Sequence, residues 1–163
     1  GIDGPLTWFT EQIYQLGSGQ KKAHYAIIPG VRELIAELYQ TFPLAIISAR
    51  SFSITQAFLD EYDLTRYFCC IATAQTCHRA KPYPDQVYWA AEQMGVPPTS
   101  ILMIGDTTVD MRAALAAGAQ AIGVLCGFGE ASELRKAGAG MLLQSTADLR
   151  NILLSEKGNE KSS

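Results

Sequence analysis

The sequence predicts a doubly wound α/β fold, a parallel sheet covered by helices on both faces, and three observations lead to it. The apolar runs at 44–47 and 101–104 are of strand length, and continuous runs of this kind belong to strands buried on both sides. Amphipathic segments of about ten residues alternate with them, the signature of βαβ units. Each run ends on polar residues, Ser48-Ala49-Arg50 after the first and Gly105-Asp106 after the second. Ligands of such folds collect outside the carboxyl ends of the strands, so those polar residues mark the place to look for function.

The elements follow in order. Val31, Leu34, Ile35, Leu38 and Tyr39 recur at helical spacing after Pro29-Gly30, which predicts a helix beginning near Val31 and finished by Pro43. The strand at 44–47 comes next. Ile54, Phe58 and Leu59 mark a second helix, residues 68–72 a short strand, and Val87, Ala90, Ala91 and Met94 a helix closed by Gly95. Pro97-Pro98 makes a turn into the strand at 101–104, after which Met111, Ala114 and Leu115 define one face of a helix closed by Gly118. Residues 121–125 form a further strand, 131–137 a helix, 141–143 an edge strand and 147–154 a last helix. The polar residues 155–163 are expected to fray.

Composition narrows the function classes. With 163 residues, 48% hydrophobic and 18% charged, the chain can bury a real core and is one folded domain rather than a disordered tail. A net charge of -3 leaves no electrostatic footprint for nucleic acid or an acidic membrane surface, so the expected partner is a small molecule or a protein. No apolar run approaches the about 18 residues of a membrane span, and no basic-then-apolar leader opens the sequence, so a cytoplasmic location is expected. Cys69, Cys70, Cys77 and Cys126 lack zinc-ligand spacing and read as reduced packing residues. Trp8 and Trp89 also read as packing.

Three places qualify for chemistry: Ser48, Lys81 in the loop Arg79-Ala80-Lys81-Pro82, and Asp106 with Asp110 one turn further on. Two carboxylates at i and i+4 where a strand passes into a helix can share a hard cation, since Mg²⁺ takes one or two carboxylates plus waters and phosphate oxygens. A lysine and a hydroxyl nearby would hold that phosphate. Each residue also has a simpler reading: Asp110 complementing a helix N-terminus, Ser48 capping the next turn, Lys81 a solvated loop charge. His78 and Arg79 stand at the expected rim, and Arg50 reads as a surface charge at a helix start or as a contact to an anionic substrate.

Taken together, Ser48, Lys81 and Gly105-Asp106-Thr107-Thr108-Val109-Asp110 occur in the order and spacing of the haloacid dehalogenase superfamily of hydrolases. The chain resembles its phosphoglycolate phosphatase branch through Lys81-Pro82-Tyr83-Pro84-Asp85, Gly95-Val96, Ile104-Gly105-Asp106-Thr107, Asp110, Ala113-Ala114, Ala117-Gly118 and Ile122-Gly123-Val124. The likeness runs on through Gly127-Phe128-Gly129 and Ala137-Gly138-Ala139, and back to Pro29-Gly30-Val31. It implies a Rossmann-like core and phosphoryl transfer to an aspartate and then to water, acting on a small phosphorylated metabolite. In that scheme Ser48 and Ala49 hold phosphate oxygens, Lys81 stabilises phosphate and nucleophile, and Asp106 and Asp110 hold Mg²⁺.

The resemblance leaves one motif unmatched. The family opens with a strand ending in Asp-x-Asp, the first Asp the nucleophile, and no such motif follows an apolar strand here. Aligning Gly1-Ile2-Asp3-Gly4-Pro5-Leu6 with it would put Gly1 in the nucleophile's place. Otherwise residues 6–16 read as an amphipathic helix left from the family's small helical cap. Both readings make the chain a part of a longer enzyme or a pseudo-phosphatase that binds without turnover. They divide it into a cap remnant or linker at 1–28, a core at 29–155 and a disordered tail at 156–163. They also predict that the middle strand of the sheet, between those preceding Ser48 and Asp106, is missing. Dehalogenation, phosphonate cleavage and phosphomutase chemistry remain open on the same fold, although paired acids favour metal-using phosphoryl chemistry. A signalling receiver domain uses similar groups but places its acids first in the chain.

Overall fold

The computed structural model describes residues 6–8, 14–16 and 25–154. Its centre is a six-stranded, all-parallel sheet in the order β5-β4-β1-β6-β7-β8. The strands are β1 (Leu6–Trp8), β4 (Leu44–Ile47), β5 (Cys70–Ala72), β6 (Leu102–Gly105), β7 (Gln120–Val124) and β8 (Met141–Leu143). Two further short strands, β2 (Tyr14–Leu16) and β3 (Tyr25–Ile27), pair antiparallel as a separate ribbon. The predicted α/β class and parallel sheet are therefore present.

Among the described residues six helices cover the sheet: α1 (Val31–Leu38), α2 (Phe52–Glu61), α3 (Asp85–Met94), α4 (Thr108–Ala117), α5 (Ala131–Ala137) and α6 (Leu149–Leu153). Side chains alternate along a strand, so each buried strand feeds two cores. Leu44, Ile46, Leu102, Ile104, Ile122 and Val124 point into one, with Val31, Leu34, Ile35 and Leu38 of α1. Ala45, Ile47, Met103 and Ala121 point into the other, with Val87, Ala90, Met111 and Ala114. Each fully buried large side chain contributes about 1.5–3 kcal/mol. The second core is rich in alanine, which lets α3 and α4 approach the sheet closely.

Local chemistry sets the helix ends. Ser51 accepts from the Ile54 N–H at the start of α2, and α3 and α4 close on Gly95 and Gly118 at φ 69° and 79°, a left-handed conformation that costs glycine no Cβ clash. The last helix is shorter than expected, because residues 146–148 form a 3₁₀ turn before α6.

Three expectations need correction. The described residues of the 6–16 segment form strands rather than a cap-derived helix. The middle of the sheet is also filled: β1 pairs Leu6 with Leu44 on one side and with Leu102 on the other. Two buried ladders of backbone donors and acceptors on β4 and β6 reward an extended conformation there more than amphipathic spacing rewards a helix. Leu115, expected on the buried face of α4, is 64% exposed, because Met111, Ala113, Ala114 and Ala117 supply the contact face instead. Cys69 likewise is exposed, whereas Cys70 and Cys126 are half-buried against the cores, and all four cysteines are free thiols. Gly1, Asp3 and residues 155–163 lie outside the described residues.

Candidate active site

Residue Leu6 of β1 is level with Leu44 on β4 and with Leu102 on β6. Ser48 and Asp106 each lie four residues beyond those partners, so they stand at one height on the carboxyl edge of the sheet, on either side of β1. Two inter-strand spacings separate their strands, about 10 Å. That is where a doubly wound sheet changes direction, its chain having left outward through β5 and returned to β6.

Ser48 is completely buried, and its Oγ accepts the Arg50 N–H at 3.1 Å. The turn-capping reading of this serine is thus realised, while Ser51 caps the helix that follows. Ala49 between them is exposed. Asp106 is buried, and its Oδ2 accepts the Phe128 N–H at 2.9 Å from the loop after β7.

Asp110 sits one turn into α4, where its Oδ2 accepts the Thr107 N–H at 3.1 Å while Thr107 Oγ1 accepts the Asp110 N–H in return. The helix-start role is therefore present in full. Its other oxygen, Oδ1, accepts from Lys81 Nζ at 2.7 Å, and the two side chains are only 5% and 3% exposed. Lys81 is not a solvated loop charge. It is an ammonium carried inward from the β5–α3 loop, where the Lys81–Pro82 bond is cis, to the first turn of α4.

The loop that delivers Lys81 is bracketed from outside. Arg79 forms a two-pronged ion pair with Asp85 at 3.2 and 3.0 Å and lies over the Tyr83 ring at 4.5 Å. The hydrogen bonds to Asp85, and then its charge, hold the Arg79 guanidinium still more firmly protonated. Burial, then the Asp85 charge, pushes the Cys77 thiol up. His78 is exposed in the same loop.

Glycines shape the carboxylate pockets. A Cβ at Gly105 would run into the Asp110 side chain, one at Gly127 into the Asp106 carboxylate, and one at Gly129 into the Asp106 carbonyl. Both carboxylates therefore lie in cradles that a side chain would fill, and their hard oxygen donors fit Mg²⁺. Among the described residues no three His, Cys, Asp or Glu side chains gather, so a bound ion would complete its shell with water and phosphate oxygens. Asp110 already serves Lys81 and Thr107 and has lone pairs to share.

Sequence reasoning named Ser48, Lys81, Asp106 and Asp110, and the fold brings them to one sheet edge. It missed the cradle glycine Gly127, the Phe128 amide and Gln86, a buried glutamine on α3 that donates to the carbonyls of Ser48 and Thr73 at 3.3 and 2.9 Å. The motif Gly127-Phe128-Gly129 carried a signal for the first two; Gln86 had none.

A parallel sheet that changes direction at β1, with two acids, a lysine and a hydroxyl at its carboxyl edge, defines a doubly wound α/β core with its candidate site at the switch point. The chain belongs to the haloacid dehalogenase-like hydrolase family, which it matches over residues 7–124, from β1 to the end of β7. It is 27% identical over 154 residues to a phosphoglycolate phosphatase of Pseudomonas savastanoi pv. phaseolicola, covering 94% of this chain and 56% of that protein. With the phosphoglycolate phosphatase of Escherichia coli K12 it shares 29% over 126 residues, 76% of this chain and 49% of the other. A hydrolase from Pseudomonas syringae has a similar fold, at a TM-score of 0.73 and 29% identity over 85% of this chain and 64% of that one. The chain spans about half the length of the curated relatives it matches.

Proposed function

We propose that the protein is a Mg²⁺-dependent hydrolase of small phosphate monoesters, similar to the phosphoglycolate phosphatases. The observation that carries this reading is the buried Lys81–Asp110 pair on the same sheet edge as Ser48 and Asp106. Sealing an ammonium and two carboxylates away from water is costly, and a structural core gains nothing from it that apolar residues would not supply. With Mg²⁺ held by the two carboxylates, such a site would carry the positive charge that a phosphate ester meets.

In this reading the Ser48 hydroxyl, with Ala49 beside it, and the Lys81 ammonium hold phosphate oxygens. Asp106 and Asp110 hold Mg²⁺, which when bound neutralises phosphate charge and polarises the P–O bond. Phosphoryl transfer asks little else of a protein, since its transition state spreads negative charge that fixed cations and donors stabilise. The route would run through an aspartyl phosphate: a carboxylate oxygen bonds to phosphorus as the ester P–O bond breaks, the departing alkoxide takes its proton from water, and a second water cleaves the acyl phosphate to inorganic phosphate and the free carboxylate. Phe9-Thr10-Glu11-Gln12 follows β1 in the sequence, with no Asp-x-Asp. Because β1 already fills the central strand position, we assign to this chain the anion and metal part of the site, and turnover only to a form in which a carboxylate reaches that edge from outside β1. The same observation favours a second reading, a pseudo-phosphatase that binds Mg²⁺ and phosphate without turnover.

A small phosphorylated metabolite is the proposed partner, in the cytoplasm and without nucleic acid. Among the described residues no helix is long and apolar enough to cross a membrane. The test is calorimetric titration with Mg²⁺ and inorganic phosphate, alongside hydrolysis of p-nitrophenyl phosphate, for the parent chain and Asp106→Asn. Binding of both ions, weakened by Asp106→Asn, is expected; no binding by the parent would overturn the proposal. Turnover that disappears with Asp106→Asn would remove the pseudo-phosphatase reading and show that a nucleophile is present.

A further inference from the structure

Along β4 and β5 the ladder is regular as far as Ser48, whose N–H donates to the Ala72 carbonyl at 2.8 Å. Continued parallel pairing would send the Ala74 N–H to the Ser48 carbonyl. It goes instead to the Arg50 carbonyl at 3.1 Å, two residues further on. The chain therefore leaves the ladder at Ser48, and this departure lets the Arg50 N–H reach Ser48 Oγ at 3.1 Å. Gln86 fills the gap. Its Nε2 donates to the Ser48 carbonyl at 3.3 Å and to the Thr73 carbonyl at 2.9 Å, the latter one residue past the end of edge strand β5.

Gln86 is 1% exposed, and its Oε1 has no hydrogen-bond partner among the described residues. A buried acceptor without a donor is a standing cost, so an amide here has to be offset by what its nitrogen does. An apolar residue in the first turn of α3 would avoid that cost, but would take away the donor that the Ser48 and Thr73 carbonyls receive from Gln86.

We propose that Gln86 is a positioning residue for anion binding: by standing in for the missing ladder bond it holds the Ser48–Arg50 turn open and fixes where the Ser48 hydroxyl points. This rests on the reading of Ser48 as a phosphate ligand. The two hydrogen bonds of the Gln86 amide go to backbone carbonyls and to neither carboxylate, so its influence should fall on the anion and spare the metal.

The experiment compares the parent chain, Gln86→Met and Ser48→Ala by titration with inorganic phosphate at saturating Mg²⁺, by titration with Mg²⁺ alone, and by the backbone amide resonances of Arg50 and Ala74. Gln86→Met keeps the side-chain length and removes both donors. We expect it to weaken phosphate binding on the order of tenfold, the worth of one or two hydrogen bonds, to leave Mg²⁺ affinity within about twofold, and to shift both amides. A general loss of folding would instead lower both affinities. Should Gln86→Met fail to fold, Gln86→Asn keeps the donors on a shorter arm and should show the same split to a smaller degree. Unchanged phosphate affinity in Gln86→Met, with Ser48→Ala weakened, would overturn the positioning role and leave the phosphatase reading intact. If the parent fails to bind phosphate, the phosphatase reading falls, and unmoved Arg50 and Ala74 amides in Gln86→Met would then overturn the positioning role as well.

Discussion

Replacing Asp110 by Asn probes the centre of the site with little change of shape. The amide keeps an oxygen for the Thr107 N–H, so α4 retains its cap, while the charge opposite Lys81 disappears. Because the Lys81 and Asp110 side chains are 5% and 3% exposed, the buried ammonium would lose the carboxylate that Asp110 holds 2.7 Å from it. Removing one partner of a buried pair costs about 3–5 kcal/mol, whereas a surface pair is worth about 0–1 kcal/mol. The size of the loss therefore tells which kind of pair this is. Against a total stability of about 5–15 kcal/mol the change is large, and it should lower the urea midpoint by about 2 M. Salt should not abolish the difference, since a buried pair is screened far less than an exposed one. Asp110→Ala should cost about 1 kcal/mol more, through the lost cap. Equilibrium unfolding followed by circular dichroism gives both numbers. A midpoint for Asp110→Asn within about 0.3 M of the parent would refute the argument that Lys81 is buried and dependent on this carboxylate.

Other consequences can be measured alongside it. Gly127→Ala places a methyl where the Asp106 carboxylate lies, and should weaken Mg²⁺ binding about 10- to 100-fold in calorimetry while the exposed loop keeps the fold intact; unchanged affinity would exclude Asp106 as a metal ligand. Burial, then the charge and hydrogen bond of Cys69, raises the Cys70 thiol far above its ordinary range. The folded state thus holds a proton that the unfolded chain releases above about pH 8.5, and stability should fall as pH rises past that point. Thermal unfolding between about pH 7 and 10 should show a flatter profile for Cys70→Ala than for the parent; equal slopes would contradict it. Asp85→Asn removes the charge that helps raise the Cys77 thiol and should speed its alkylation by iodoacetamide at pH 8, a rate readable by mass spectrometry.

Much of this protein can be read directly from local patterns. Leu44–Ile47 is a strand because four consecutive apolar residues bounded by Pro43 and Ser48 have no other economical place than a two-sided core. The closing glycines of α3 and α4, and the strand-to-helix step that carries Asp106 and Asp110, are equally local: they depend on residue type and a period of 3.6 or 2. For that reason Ser48 and Asp106 are legible at strand ends, and Asp110 one turn beyond, from residue order alone.

What the tertiary structure decided has no local carrier. Leu6-Thr7-Trp8 is a strand because β4 and β6 each present it with a ladder, although its spacing of apolar residues suits a helix equally well. Lys81 is buried because Asp110, 29 residues later in the chain, meets it at 2.7 Å; a lysine in a loop tells nothing by itself of what it will face. Gln86 matters because two strand ends diverge above it, and the sequence around α3 cannot show that a carbonyl 38 residues away has lost its ladder partner. Short-range order follows from residue type and period. The site depends on which strands become neighbours, a free-energy balance over the whole sheet that no single segment holds.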